Sequence, residues 1–320
     1  MMPGTDNGTG DKSTGQAICT AKAAHRVKPK DGRNDKSFAV ILGATSLVGR
    51  FLAQRLAACG FEGLCLSRHT GPAPYEAPPG FSWNTLPEGK KLGIPASATL
   101  FSLTPATALP ALINRIAGGN RLIALSSSSV LFKAQSSSPG ERDQAQAQAR
   151  AEERVRTLCR DRGTAWTIFR PTLIYDPGRD RNVSRIASFV QRFGFFPVVW
   201  PGTGLCQPIH ADDVAQAMAA ASGAAPARDA TFDLPGDETL TYVEMVRRIF
   251  ASLGKRPVLV YLPLSLARAA FFLWQSLTGE NYSSAILERM NLALTLDPAP
   301  VREHLGSTSR PFRPGFPDLK

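Results

Sequence analysis

The chain has 320 residues, of which 43% are hydrophobic and 20% charged, and its formal net charge is +11. This length suffices for one large α/β domain with a smaller appended lobe. Five scattered cysteines and four isolated histidines argue against a zinc motif, another metal site or a disulfide framework, and favour a reduced, cytoplasmic environment.

The positive charge alone does not identify a partner. The basic residues are spread along the sequence, and no stacking aromatic motif accompanies them, so we expect no nucleic-acid binding. A basic surface that attracts phosphorylated ligands is a sufficient explanation.

Residues 1–36 differ in composition from the remainder. They are rich in Gly, Asp, Lys, Asn and Thr, and they lack the apolar core of a signal peptide. We expect either a disordered N-terminal extension or a start codon placed upstream of the true one.

Residues 39–58 are the most informative segment. The apolar residues 39–42 predict a buried parallel strand, residues 43–49 (GATSLVG) a glycine turn, and residues 49–58 a helix. This order places backbone N–H groups and a positive helix end beneath a pyrophosphate. Ser46 replaces the middle glycine of the usual pattern, so its hydroxyl is available to a phosphate while its Cβ narrows the approach. A tight turn without a ligand is the alternative.

The second predicted strand, residues 63–66, ends in Ser67, Arg68 and His69. Folds of this kind contact the adenosine ribose at that place, where a carboxylate would favour NAD. A hydroxyl and a guanidinium favour the 2′-phosphate of NADP instead, with NAD still possible. The alternative for Arg68 is an ordinary solvated arginine.

Strands and helices alternate further along the chain. We predict strands around residues 81–83 and at 99–103, 121–125 and 165–169, and helices over 105–116 and 144–160. This alternation predicts an α/β fold with a doubly wound parallel (Rossmann) sheet, in which ligands lie beyond the carboxyl ends of the strands.

Four motifs in this order resemble the extended and atypical short-chain dehydrogenase/reductase superfamily, the group of NAD-dependent epimerases and dehydratases. They are residues 43–49 (GATSLVG), 125–130 (LSSSSV), 169–175 (FRPTLIY) and 207–214 (QPIHADDV). The resemblance covers about residues 36–305, and residues 170–213 are also similar to epimerase-like proteins of polysaccharide biosynthesis.

The resemblance implies a Rossmann core over residues 37–175. It also implies a mixed substrate lobe over 176–320, which contains returning Rossmann elements and closes over a nucleotide-sugar or similar small-molecule substrate. The implied cofactor-binding residues are Gly43, Ala44, Thr45, Ser46, Leu47, Val48, Gly49, Ser67, Arg68, Leu103, Ser126, Pro171 and Thr172.

The family pairs a serine with a Tyr-x-x-x-Lys motif on the next helix, where the tyrosine exchanges the hydroxyl proton. Ser127 matches the serine; a capping or strand-end serine is the alternative. The partner pair is missing, since the matching positions are Gln144 and Gln148 if Glu152 aligns with the family's acidic residue, and alanines in the other register.

Other residues are therefore candidates for the missing chemistry. Tyr175 and His210 are the candidate proton donors, although such a tyrosine also packs under its loop and such a histidine also fixes a helix start. Arg179, Asp180 and Gln207 are candidate substrate contacts, the first two in a charged loop whose alternative role is simple solvation. Asp213 suits helix capping better than catalysis.

Two functions remain open from the sequence. One is an NADP(H)-dependent oxidoreductase, epimerase or dehydratase-like enzyme; the other is a dinucleotide-binding module without turnover, serving as a redox sensor or structural subunit. The apolar residues 258–277 predict a helix of roughly 15 residues after Pro263, about 22 Å long, which is too short to span a bilayer. We expect a core or substrate-lobe helix or, alternatively, a helix in the membrane interface.

Overall fold

The computed structural model describes residues 37–68, 73–86, 89, 91–278 and 284–316. The predicted N-terminal extension lies outside these residues, as does His69.

A seven-stranded parallel sheet forms the centre of the molecule. Its strand order is β13-β8-β7-β5-β1-β2-β3, and every neighbouring pair is parallel. The seven strands are β1 (Phe38–Leu42), β2 (Glu62–Ser67), β3 (Phe81–Thr85), β5 (Thr99–Ser102), β7 (Arg121–Leu125), β8 (Ala165–Pro171) and β13 (Ala230–Leu234).

Helices cover both faces of this sheet, which explains why its central strand β1 is apolar throughout. Along β1, Ala39 and Ile41 contribute to the core beneath α1 and α6, while Val40 and Leu42 contribute to the core beneath α2 and α4. The helices are α1 (Gly49–Ala58), α2 (Leu109–Ile113), α3 (Ser129–Phe132), α4 (Pro139–Asp161), α5 (Val183–Phe193), α6 (Ala211–Gly223), α7 (Tyr242–Ser252), α8 (Leu264–Thr278), α9 (Ala285–Glu288) and α10 (Ala299–Leu305).

Short strands pair outside the central sheet and build much of the second lobe. The parallel pair of β10 and β15 packs near α5, α7 and α8. The short strands are β4 (Leu92–Gly93), β6 (Ile116–Ala117), β9 (Ile174–Tyr175), β10 (Phe196–Val199), β11 (Leu205–Cys206), β12 (Ile209–His210), β14 (Leu240–Thr241) and β15 (Leu259–Leu262). After residue 176 the chain returns to the central sheet through α6 and β13. The domain boundary itself stays a prediction.

The helix predicted over residues 105–116 is wrong. The segment forms a 3-10 turn at Ala106–Ala108, then the five-residue α2, and ends in β6. Ile116 and Ala117 pair with Leu92 and Gly93, so a contact with a distant segment replaces the last helical turn.

Helix α4 begins five residues before the predicted start. Ser138 precedes it with an extended backbone, Pro139 opens it, and Glu141 stands in its first turn. A proline at the first helical position and an acidic residue in the first turn are ordinary helix-start signals. Among the described residues, no helix combines the length and apolar character that crossing a bilayer requires.

Candidate functional site

The loop between β1 and α1 has the backbone of a phosphate-binding turn. Gly43 has φ +71°, a conformation that side chains with a Cβ rarely adopt. A Cβ on Gly49 would lie 1.9 Å from the carbonyl oxygen of Ala44, so only glycine permits this close approach of helix and loop. The two glycines therefore fix a tight strand–turn–helix geometry.

The start of α1 is prepared for an anion. No side chain of the described residues caps this end, and its first turn contains no acidic residue. The amides of a first helical turn lack intrahelical acceptors and carry partial positive charge. The loop borders a cavity of about 500 Å³, lined by Thr45, Ser46, Leu47, Thr172, Ile174, Arg179, Arg181 and Asn182.

Ser46 is one of the residues that line this cavity, and its hydroxyl is left unpaired beside it by the part of the chain that the structure describes. Its Oγ is buried and has no hydrogen-bond partner among the described residues. A buried polar atom of this kind is costly unless something pairs with it. The cavity volume is in the range of ligand sites, and Arg179 and Arg181 supply positive charge at its lining. The residues present therefore fit a dinucleotide pyrophosphate.

Arg50 and Asp176 connect α1 to the opposite side of the cavity. Two hydrogen bonds of 2.8 and 2.9 Å run from Nη2 of Arg50 to the carboxylate of Asp176, and Arg179 Nε lies 3.8 Å from the same carboxylate. The Nε of Arg50 has no partner among the described residues. This ion pair fixes the charged loop against the glycine turn, a contact that the sequence did not reveal.

The predicted adenosine end is only partly described. Ser67 is buried at the end of β2, and Arg68 follows it with an exposed side chain. Tyr75 lies close by, since its hydroxyl donates to the carbonyl of Ala44 at 3.1 Å and its ring contacts Trp83 edge-on. Burial raises the pKa of Tyr75. Its hydroxyl thus stays a donor that holds the glycine loop from behind.

The serine run after β7 is bonded to α4. Glu152 accepts a hydrogen bond from Ser126 Oγ at 2.5 Å, and its carboxylate also pairs with Arg170. Gln148 donates to Ser126 Oγ at 2.9 Å and accepts from Ser129 Oγ at 3.0 Å. Ser127 Oγ accepts from the Ser129 amide at 3.1 Å. The serines are therefore positioned by the glutamine and glutamate of α4.

Lys133 is a polar residue near this run that the sequence analysis did not single out. Its Nζ donates to Oε1 of Gln144 at 2.8 Å and lies 4.0 Å from Glu141. Burial lowers the pKa of Lys133. The ammonium group of Lys133 thus contacts the residue that matches the family's tyrosine. Its place three residues before the Tyr-free interval 136–160 was the available sequence signal.

Tyr175 and His210 pack against each other, away from the cavity lining. Their rings meet edge-on at 5.1 Å, and Phe312 contacts Tyr175 from the other side at 5.0 Å. Tyr175 is 1% exposed, and burial raises its pKa to about 12. His210 Nδ1 accepts the Asp212 amide at the start of α6. These contacts favour the packing and capping interpretations over proton donation.

Of the three predicted substrate contacts, one lines the cavity and two make hydrogen bonds within the fold. Arg179 lines the cavity. The buried carboxylate of Asp180 accepts from the amides of Asn182 and Ser184, and from the Ser184 hydroxyl at 2.6 Å, at the start of α5. Gln207 uses both amide atoms on Leu296 and Thr239. For Asp180 and Gln207, these contacts favour a role in holding the fold.

The remaining predicted cofactor residues fall into two groups. Thr45, Leu47 and Thr172 line the cavity together with Ser46. Four others support the loop from the core and are buried: Ala44, Val48, Leu103 and Pro171. The Leu103 amide donates to the Leu42 carbonyl, which keeps the ends of β5 and β1 together.

Solved structures of epimerases superpose on most of this chain. The epimerase Mth375 from Methanothermobacter thermautotrophicus has a TM-score of 0.65 and 14% sequence identity, over 88% of this chain and 90% of that one. The UDP-glucuronic acid 4-epimerase from Bacillus cereus, in complex with UDP-glucuronic acid and NAD, has a TM-score of 0.60 and 13% identity, over 86% and 95%. The chain has the fold of these epimerases. The predicted doubly wound α/β fold is confirmed.

One curated relative is similar in sequence over part of the chain. NADH dehydrogenase (ubiquinone) 1 alpha subcomplex subunit 9, mitochondrial, from Arabidopsis thaliana is 31% identical over 106 residues. The match covers 32% of this chain and 26% of that protein, so it spans about a quarter of the relative's length. No family model matches the chain.

Proposed function

We propose that this protein binds a nicotinamide dinucleotide, NADP(H) in preference to NAD, and is an oxidoreductase of the epimerase/dehydratase type. The substrate is a nucleotide sugar or a similar small molecule with a carbonyl or hydroxyl group. The observation that carries the binding proposal is the unpartnered hydroxyl of Ser46 in a cavity with arginines in its lining. The epimerase fold, present in a structure solved with NAD, supports it.

Each part of the dinucleotide has residues to hold it. The turn of Gly43 and Gly49, with Ser46 and the start of α1, would hold the pyrophosphate. Arg68 and Ser67 would bind the 2′-phosphate, and Pro171 with Thr172 would border the nicotinamide end. When bound, the nicotinamide supplies hydride transfer.

The substrate oxygen would be oriented by the Ser127 hydroxyl, as the resemblance implies. Because Tyr175 is buried and His210 caps α6, neither is the best-placed proton donor. Lys133 contacts the position of the missing tyrosine and has a lowered pKa, so we assign it as the candidate acid. Its ammonium would release a proton to the substrate oxygen and recover it from solvent.

A dinucleotide-binding module without turnover is the second candidate. The positions that match the Tyr-x-x-x-Lys pair are Gln144 and Gln148, and an amide cannot exchange a proton near neutral pH. Gln144 already accepts a hydrogen bond from Lys133, and Gln148 is already bonded to Ser126 and Ser129. The curated relative is by its name a subunit of NADH dehydrogenase, which also favours a structural role.

One experiment separates the two candidates. The purified protein is loaded with oxidised or reduced cofactor and incubated with a panel of nucleotide sugars and carbonyl compounds. NADPH absorbance reports net oxidation or reduction, and chromatography of the sugars reports epimerised or dehydrated products, which form with no net change of the cofactor. The enzyme proposal expects turnover with at least one substrate and its loss in Lys133→Met, while NADPH binding is unchanged. Binding with neither a net redox change nor a new sugar product across the panel supports the module. Equal turnover in the variant would contradict the assignment of Lys133.

A further inference from the structure

An apolar surface that the dinucleotide site does not use lies on the second lobe. We call it the α8 face; it comprises α8, strand β15, the C-terminal end of α5 and Trp200. Trp200 donates its amide to the Leu262 carbonyl, which joins the end of β10 to β15. The large exposed apolar side chains of this face are Phe193, Phe195, Trp200, Val258, Val260, Tyr261, Leu266, Phe272 and Leu273.

Helix α8 is apolar on both sides, although one side suffices for the fold. Leu264, Ala267 and Phe271 follow helical spacing and pack on the core near Val199. On the other side, Phe272 is 72% and Leu273 61% exposed. A surface helix ordinarily has a polar outer face, and a helix that is apolar all round requires a second apolar environment. Exposed apolar patches of this extent mark interaction sites.

Most of the charges around the α8 face are positive. Residues 183–200 and 254–278 contain no aspartate or glutamate, and their basic residues are Arg185, Arg192, Lys255, Arg256 and Arg268. Glu288 reaches in from α9 and pairs with Arg268 at 2.6 Å. Arg192 lies over the Phe193 ring, and Lys255 binds carbonyls at the end of α5, so both charges border exposed aromatic residues. The face therefore complements an apolar layer beneath an anionic surface.

We infer that the α8 face docks on an anionic lipid bilayer, with α8 lying in the interface and not crossing it. Fifteen residues of helix reach about 22 Å, less than the roughly 30 Å hydrocarbon core. Phe272 and Leu273 enter the acyl boundary, while Trp200 and Tyr261 lie at headgroup depth. Arg192, Lys255 and Arg256 contact the anionic headgroups. This inference goes beyond the proposed function and does not depend on turnover.

Vesicle flotation of the full chain tests the inference. The probes are vesicles of phosphatidylcholine alone and of phosphatidylcholine with phosphatidylglycerol. We expect the protein to float with the anionic vesicles, weakly with the neutral ones, and to be released by high salt. Phe272→Ser with Leu273→Ser abolishes flotation without lowering the melting temperature, because both side chains are exposed.

A matched pair of charge variants sharpens the test. Each basic residue near an anionic surface contributes about a fivefold change in partitioning, so Arg192→Gln with Arg256→Gln lowers it about 25-fold. Arg150→Gln with Arg154→Gln removes the same charge from exposed positions of α4 and leaves partitioning unchanged.

Three results overturn the inference. The first is that the wild-type protein does not float with anionic vesicles. The second is that both pairs of charge variants lower flotation equally. The third is that light scattering shows a dimer that the Phe272→Ser, Leu273→Ser variant dissociates, since the face then pairs with a second copy of this chain.

Discussion

At the scale of single residues, the Ser46 hydroxyl is the group that most favours binding of an anion at the glycine turn. A larger polar side chain replaces the usual small residue in the turn, and its hydroxyl is buried without a partner among the described residues. This arrangement is unfavourable in the free protein and becomes favourable when an anion accepts a hydrogen bond from the hydroxyl.

The Ser46→Ala variant should therefore change stability and affinity in opposite directions. Because it removes an unpaired buried hydroxyl, the free energy of unfolding of the free protein is unchanged or rises. Because it also removes a bond to a phosphate, of about 1.5–3 kcal/mol, the Kd for NADPH rises about 10–100-fold. Denaturant unfolding and calorimetric titration measure the two quantities. A loss of stability with unaltered affinity would show that the hydroxyl serves the fold alone.

We propose that Arg68 decides the choice between NADP(H) and NAD(H). Arg68→Asp places a carboxylate where we expect the 2′-phosphate, so NADPH binding weakens while the 2′-hydroxyl of NADH gains an acceptor. We expect the ratio of the two Kd values to change at least tenfold in favour of NADH, the effect of about 1.4 kcal/mol. Fluorescence titration with both cofactors provides the ratio, and Arg154→Asp is the control. An unchanged ratio would refute the assignment of Arg68.

Local patterns predicted the glycine turn, but not the surroundings of the candidate catalytic residues. Tyr175 follows a motif typical of a substrate loop, yet its ring is enclosed by Phe312, which is 137 positions later in the chain. His210 has the chemistry of an acid, yet its Nδ1 is used by the next helix. A contact with a residue as distant as Phe312 leaves no local signature in the sequence.

At the scale of elements, α4 is attached to the sheet by one buried carboxylate. Glu152 is 2% exposed and bonds Ser126, Arg156 and Arg170. Removing one member of a buried ion pair leaves its partner uncompensated. Glu152 thus joins Gln148 in aligning the helix with the serine run.

Glu152→Ala should lower the free energy of unfolding by about 3 kcal/mol, because Arg170 then loses the buried carboxylate that pairs with it at 2.5 Å. Its neighbour Glu153 is 63% exposed and pairs with Arg156 at the surface, so Glu153→Ala should change stability by about 0.5 kcal/mol or less. Chemical denaturation compares the two. Equal effects of the two variants would contradict the role assigned to Glu152.

The start of α6 should make stability depend on pH. Burial, followed by the nearby Arg310, lowers the pKa of His210 below its unfolded value of about 6.5. Between the two pKa values the unfolded chain binds more protons, so stability falls as the pH drops through this window. His210→Asn keeps an acceptor for the Asp212 amide but does not titrate, and its stability should fall less between about pH 7 and pH 5.

The titration of Asp212 does not overlap the pH range in which His210 is expected to titrate. Burial alone would raise the pKa of its carboxyl, but hydrogen bonds from Arg55 and Arg310 hold it below the usual value, so it titrates at lower pH. Thermal unfolding of wild type and His210→Asn at several pH values provides the test. Parallel pH profiles would contradict the assignment to His210.

At the scale of the whole molecule, the sequence predicted the class of fold and the alternation of its central elements. Strand β1 and helix α1 were predicted almost to the residue, because a buried parallel strand is apolar throughout and the glycines mark the turn. The strand order and the pairing of β4 with β6 were not predicted, because they depend on contacts between distant segments.

Both proposed functions require that the cavity above the glycine turn binds a dinucleotide. Three features favour binding of a dianionic pyrophosphate there: the unpaired Ser46 hydroxyl, the uncapped start of α1, and Arg179. The enzyme proposal and the module proposal both need this ligand, whereas the docking of the α8 face does not.

Isothermal titration calorimetry of the purified wild-type protein with NADPH and with NADH tests this claim most directly. We predict saturable one-to-one binding of NADPH and weaker binding of NADH. If neither cofactor binds at millimolar concentration, in the oxidised or the reduced form, then this cavity is not a dinucleotide site.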